Sequence, residues 1–210
     1  MDVMTPTTMK LFFAPSVCSL APHIVLREIG ASFDLVRVDL RTKKTSDGSD
    51  YEAINPKSYV PALVMEDGGL LTEAAVILRY LADTRPEARL APPHGTMERL
   101  RFEELLHFIA MELHKGFAPF TLMPNVGDES KRWAANRLTS RVRILETALG
   151  SKPHLQGDAF TVVDAYAFWA LRSFSKLVKV DLEGSLADYV GRVGERPSAR
   201  AALEAEATAL

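Results

Sequence analysis

The 210-residue sequence predicts an α/β domain with a mixed sheet, followed by an all-helical domain. Three observations support this. Strand-length apolar runs alternate with amphipathic segments as far as Asp83. The stretch "TRPEARLAPPHGT", with its prolines and glycine, then breaks the pattern as a linker would. Beyond it every periodic segment has helical spacing, and none reads as a strand.

The elements follow in order. "MKLFF" from Met9 reads as a short buried strand. "SLAPHIVLREIG" carries Leu20, Ile24, Val25 and Leu26 at helical spacing and stops at Gly30, a residue suited to a helix end. "FDLVRVDL" reads as a second strand. The polar stretch "RTKKTSDGSDYEAINP" holds at most one helical turn, near Tyr51. "PALVM" and "LL" flank "EDGG" as a β-hairpin, and "TEAAVILRYLAD" starts a helix with Thr72 as its cap. A helix between the first two strands makes them a parallel pair, whereas the tight turn makes the later two antiparallel. Helices are expected at Met97–Gly116, Ser130–Gly150, Thr161–Val178, Ser185–Val193 and Ser198–Ala207. In "FTVVDAY", Thr161 and Asp164 form a capping box with Phe160 as its staple, which makes Asp164 structural. The expected organisation is a loose leader over 1–8, an α/β domain over 9–84, a linker over 85–95 and a helical domain over 96–210.

Composition excludes several functions. The apolar fraction of 47 % supports a buried core. A net charge of −2 with interspersed signs gives no electrostatic footprint for nucleic acid. No apolar run approaches the roughly 20 residues that span a bilayer, and the N-terminus lacks the pattern of a secretion signal. The single cysteine forbids an internal disulfide and suits a reducing, cytoplasmic setting.

That cysteine, Cys18, sits in "FFAPSVCSLAPH" between the first strand and first helix. It reads either as a small buried apolar residue or as a reactive thiol. Pro22 belongs in a first helical turn, where its missing N–H costs little, so the helix begins near Ser19 or Leu20. Cys18 then precedes unpaired amides and the positive end of the helix dipole, which favour a thiolate. Position 21 is alanine, so the two-cysteine redox motif is absent and any thiol chemistry is monothiol. Glu103, His107 and His114 recur at spacings of four and seven as a polar stripe. Positions seven apart lie about 10.5 Å apart along a helix, too far for one metal ion.

In this order, "KLFFAPSVCSLAPHIVLREIG", "VDLRTKKT", "INPKSYVPALV", "LTEAAVILRYLAD" and "ELHKGFAPF" resemble the bacterial beta class of the glutathione S-transferases. The resemblance extends from Met9 to near Arg196. It implies a thioredoxin-like first domain, glutathione as co-substrate with no metal, a small electrophilic or apolar second substrate, and a homodimer. It also implies a cysteine, here Cys18, at the glutathione sulfur. Pro61 would be cis, with the Val60 backbone pairing with glutathione as an added strand. The amides from Ala74 onward would bind the γ-glutamyl carboxylate, and Glu73 its ammonium. Of the adjacent lysines Lys43 and Lys44, Lys44 is expected to reach glutathione. His114 and Lys115 would border the sulfur and the second-substrate cleft of the helical domain. Two positions depart from the class. Ser58 stands where relatives often have glycine, and Ala74 where many have serine. Three functions follow: conjugation of glutathione to electrophiles, thiol–disulfide exchange through a Cys18–glutathione mixed disulfide, or non-catalytic binding of apolar compounds.

Overall fold

A computed structural model describes residues 8–123 and 125–208; nearly all of the expected leader lies outside them. The chain forms two units. One runs up to Arg85 and includes Pro197 onward, and the other spans Pro86–Arg196.

The first unit contains β1 (Met9–Phe13), α1 (Leu20–Glu28), β2 (Phe33–Asp39), β3 (Lys44–Thr45), α2 (Tyr51–Ile54), β4 (Ala62–Val64), β5 (Leu70–Thr72) and α3 (Ala74–Thr84). The sheet order is β3-β2-β1-β4-β5. β1 is parallel to β2, as a helical crossover requires, and antiparallel to β4. All of its side chains but the exposed Lys10 are buried, Leu11 and Phe13 among them, as expected of a central strand. The two-residue β3 was hidden in the polar stretch, because its register with Val38 and Asp39 leaves no periodic signal. Thr72 ends β5 and does not cap α3. That place is taken by Glu73, whose φ of 71° turns the chain into the helix.

The final helix, α9 (Pro197–Thr208), belongs to this unit although it follows the helical segments in sequence. It packs on α1 through the fully buried Ala199 and Ala202, whose small side chains allow close approach. A Ser198–Glu28 hydrogen bond adds to the contact.

The second unit holds α4 (Met97–Phe108), α5 (Ala118–Thr121), α6 (Asp128–Leu149), α7 (Val162–Phe174) and α8 (Gly184–Gly194). The single helix expected over Met97–Gly116 is instead α4, a π-helical segment Ile109–His114 and a 3₁₀ turn Lys115–Phe117. A π turn inserts an extra residue and re-aims every side chain after it. Gly116 fits there because a Cβ would lie 2.8 Å from Leu138 on α6. Nearly all of α7 is buried, as its apolar composition predicts. Asp164 is fully buried and accepts from the Thr161 N–H and hydroxyl, the Leu155 N–H and the Tyr189 hydroxyl. It is thus a structural hub as well as a cap. No helix among the described residues is long and apolar enough to cross a membrane.

Two stability outcomes follow. Asp164→Ala strands four donors, one of them a buried tyrosine hydroxyl, and should cost about 3–5 kcal/mol in urea denaturation; a loss under about 1 kcal/mol would contradict the hub. His154 is held below its ordinary value of 6.5, chiefly by burial, against the opposing pull of Asp164. The unfolded chain therefore binds the extra proton, and the stability from this group is complete above 6.5 and lost as pH falls. His154→Gln should flatten the decline of the urea midpoint between about pH 7 and pH 5.

Candidate functional site

The sheet register places the predicted residues of the first unit. Phe12 of β1 lies opposite Ala62 of β4, and Ala62 lies opposite Thr72 of β5. The loop leaving β1, the segment entering β4 and the exit from β5 therefore share one end of the sheet. Those three segments carry Cys18, Val60–Pro61 and Glu73–Ala74.

The Cys18 loop is tied at its base by Ser19, whose hydroxyl donates to the Ala14 carbonyl and accepts from the Ala14 N–H. Cys18 is only 5 % exposed. Its Sγ donates to the Val60 carbonyl at 3.2 Å. A carbonyl oxygen only accepts, so this bond belongs to the thiol, and forming a thiolate breaks it. The expected helix start is observed, with Leu20 as the first residue of α1. Ala21, at the fourth position of the would-be redox motif, is fully buried.

Val60–Pro61 is cis. The loop before it is pinned by α2, since the Tyr51 hydroxyl and Asn55 Nδ2 both donate to the Tyr59 carbonyl at 2.8 Å. Ser58 has φ of 58°, the left-handed conformation that a glycine would adopt without penalty. Its hydroxyl donates to Glu52.

The two lysines separate. Lys43 donates to the Ser58 carbonyl at 3.0 Å and lies over the Tyr59 ring. Lys44 is exposed and extends to Asp50 at 4.0 Å. The structure thus brings Lys43 to the Val60 loop and directs Lys44 away from it. Adjacent positions on a turn point in different directions, and Lys43 has φ of 57°. Lys57, which sequence reasoning did not single out, donates to Thr72 Oγ1 and pairs with Glu73 at 3.2 Å. Ala74 opens α3 and is buried. Without i−4 carbonyls to bind, the first amides of a helix present donors along its axis.

His114 and Lys115 belong to the second unit. His114 Nδ1 is 2.7 Å from the Tyr166 hydroxyl, and its ring meets Trp169 edge-on at a centroid distance of 4.6 Å. Trp169 also stacks on Tyr166 and touches Phe117. Tyr166 and Trp169 were read only as apolar content of a buried helix. Their spacing of three puts them on one face of α7, a signal that becomes meaningful only with a polar partner opposite. His107 Nδ1 donates to the Glu103 carbonyl within its own helix at 2.8 Å. Among the described residues no group of three or more acidic, histidine or cysteine side chains is placed to hold a metal.

Comparison with known proteins gives concordant matches. Residues 15–84 match the family described as glutathione S-transferase, N-terminal domain. The chain is 44 % identical to glutathione S-transferase GstA of Escherichia coli O157:H7, over 94 % of this chain and 98 % of that protein. A sphingomonad glutathione S-transferase solved with glutathione is 41 % identical, with a TM-score of 0.89 over 94 % of this chain and 98 % of that one. A beta-class glutathione S-transferase of Sphingomonas chungbukensis is 44 % identical, with a TM-score of 0.88 over the same shares.

The contrasting lysines set a test. Lys43→Ala, losing a hydrogen bond and a ring contact, should lower stability by about 1 kcal/mol. Lys44→Ala, losing an exposed pair, should change it by less than about 0.5 kcal/mol. Equal thermal shifts for the two variants would contradict the assignment.

Proposed function

This chain belongs to the glutathione S-transferase family, among the bacterial beta-class proteins, and we propose that it binds glutathione along the Val60–Pro61 edge with the tripeptide's sulfur beside Cys18. It is an enzyme, a glutathione transferase, so the binding-only alternative falls away. The relative solved with glutathione supports that ligand here.

One observation carries the reading: the Cys18 sulfur and the Val60 carbonyl are 3.2 Å apart. An extended peptide that adds to this edge aligns its middle residue with Val60. The middle residue of glutathione is its cysteine, so the two sulfurs become neighbours. Charged groups then serve the ends. The opening amides of α3, from Ala74, suit the γ-glutamyl carboxylate, and Glu73 suits the ammonium. Lys57 already shares the Glu73 carboxylate and keeps it in place. Lys43 takes the role that the sequence assigned to Lys44, because its ammonium already lies against the loop of Val60. Ala74 offers an amide without the hydroxyl common in the class.

In the reaction glutathione is the nucleophile. Its thiol loses a proton, the sulfur bonds to the electrophilic carbon, and the leaving group departs with the displaced electron pair. Cys18 assists by position and does not attack the electrophile. His114 and Lys115 are assigned to the sulfur and the second substrate, a small electrophilic or apolar compound. Support for His114 is the fixed ring orientation set by Tyr166 and Trp169. A homodimer in the cytoplasm completes the reading, supported by family membership and by the single cysteine.

A second reaction is favoured by the absence of any other thiol in the chain. The Cys18 thiolate attacks a disulfide between glutathione and a small thiol, forming a Cys18–glutathione mixed disulfide and releasing the small thiolate. A second glutathione then attacks the mixed disulfide, which regenerates Cys18 and yields oxidised glutathione.

Kinetics and mass spectrometry test both. Cys18→Ala should still bind glutathione and lose less than about tenfold in conjugation kcat/KM. Loss of binding and conjugation together would overturn the assisting role. After treatment with oxidised glutathione, the wild-type mass should rise by one glutathionyl group and that of Cys18→Ala should not. An unchanged wild-type mass removes the exchange reaction. Glu73→Gln should raise the glutathione KM about tenfold, by loss of one charge-assisted hydrogen bond.

A further inference from the structure

The C-terminal helix carries a buried carboxylate whose partners lie on both sides of Cys18. Glu206 on α9 is only 4 % exposed. Its Oε2 accepts the Ser16 N–H at 3.0 Å, two residues before Cys18. Its Oε1 lies 3.1 Å from Nδ1 of His23, which is fully buried in α1, five residues after Cys18. The other ring nitrogen of His23 accepts from Arg27 Nε at 2.9 Å. A guanidinium Nε–H can only donate, so His23 Nε2 is the lone-pair nitrogen and Nδ1 carries the proton given to Glu206. The order Arg27, His23, Glu206 thus relays a cation to a buried anion through one histidine, and both carboxylate oxygens are engaged. The arrangement compensates a charge that burial would otherwise penalise heavily. Ser16 has φ of 63°, a conformation that L residues avoid unless surroundings impose it.

We infer that Glu206 is a positioning residue for Cys18: from the last helix it clamps the Ser16 end and the His23 end of the loop, and so holds the thiol at the Val60 carbonyl. This rests on the reading of Cys18 as the residue beside the glutathione sulfur. A carboxylate is required because both partners are donors. A glutamine of the same volume has one acceptor oxygen and one NH₂ group, so it meets one of the two donors with another donor. Since His23 Nε2 must stay unprotonated for Arg27, the histidine has no second tautomer with which to adapt.

The experiment compares Glu206→Gln and Ser198→Ala with the wild-type chain. Ser198 bonds Glu28 at the other end of the same helix pair, away from the Cys18 loop. As Cys18 is the only cysteine, alkylation by iodoacetamide reports on that thiol alone. Glu206→Gln should raise the Cys18 alkylation rate about tenfold, by easing local opening, and should raise the glutathione KM more than it changes kcat. Ser198→Ala should lower the melting temperature yet leave alkylation and KM within about twofold of wild type. If Glu206→Gln alkylates like wild type, or Ser198→Ala alkylates as fast as Glu206→Gln, α9 is merely structural and the inference is overturned. Should Glu206→Gln fail to fold, His23→Gln, which removes one arm of the clamp, must give the same acceleration, and a wild-type rate there overturns the inference. The alkylation rate reads the loop itself. It therefore stays informative if saturating glutathione fails to protect wild-type Cys18 from alkylation, the result that would sink the underlying reading instead.

Discussion

Antiparallel pairing of β1 with β4, at the register Phe12↔Ala62, brings the exit of the first strand beside the entry to the fourth. Because β5 pairs with β4 at Ala62↔Thr72, its exit arrives at the same end. A one-residue slip would turn every buried side chain of β1 to the wrong face, so the register is strongly specified by the core. The site inherits that precision. The Cys18 sulfur meets the Val60 carbonyl because two strand ends are aligned, without any side chain having to search for its partner.

Strain collects in the same loops. Among the described non-glycine residues with positive φ, Ser16, Lys43, Ser58 and Glu73 lie in segments that border the site. Each conformation carries a penalty of about 1–2 kcal/mol, which neighbouring contacts must offset. Ser16 is held by Glu206, Lys43 by the Ser58 carbonyl, Ser58 by Glu52 and Glu73 by Lys57. These contacts do what glycine would otherwise do by having no Cβ. They also fix amides, a carboxylate and an ammonium in place before any ligand arrives, which lowers the ordering cost of binding.

In the helical unit, the analogous device is the π segment that ends at His114. A regular helix over the same residues would rotate His114 away from Tyr166 and Trp169, because each inserted residue shifts the following side chains by about 100°. Asp164 anchors the start of α7, the helix that supplies both aromatic partners, so a buried cap stabilises the platform on which the histidine rests.

Much of this was legible in the sequence, for a physical reason. Period-two and period-3.6 patterns, helix caps and turn residues encode local conformation, and so they located β1, α1, β2, the β4–β5 hairpin, α3 and the long helices. The motif around Cys18 likewise fixed the thiol at a helix start with no second cysteine. What local pattern does not carry is direction and partner. It could not tell Lys43 from Lys44, since the backbone twist at the turn decides which ammonium faces Ser58. It gave Thr72 the cap of α3, although hydrogen bonding to β4 keeps Thr72 in the strand and passes that place to Glu73. It took α4 through His114 without the π turn, which packing against α6 and α7 selects. It assigned α9 to the helical part, whereas buried Ala199, Ala202 and Glu206 join it to α1. The sequence by itself determined the elements, the family and the lone thiol, because those depend on neighbours along the chain. Only tertiary structure decided which carbonyl that thiol meets and which carboxylate holds its loop, because those partners lie 42 residues from Cys18 and 190 from Ser16 along the chain.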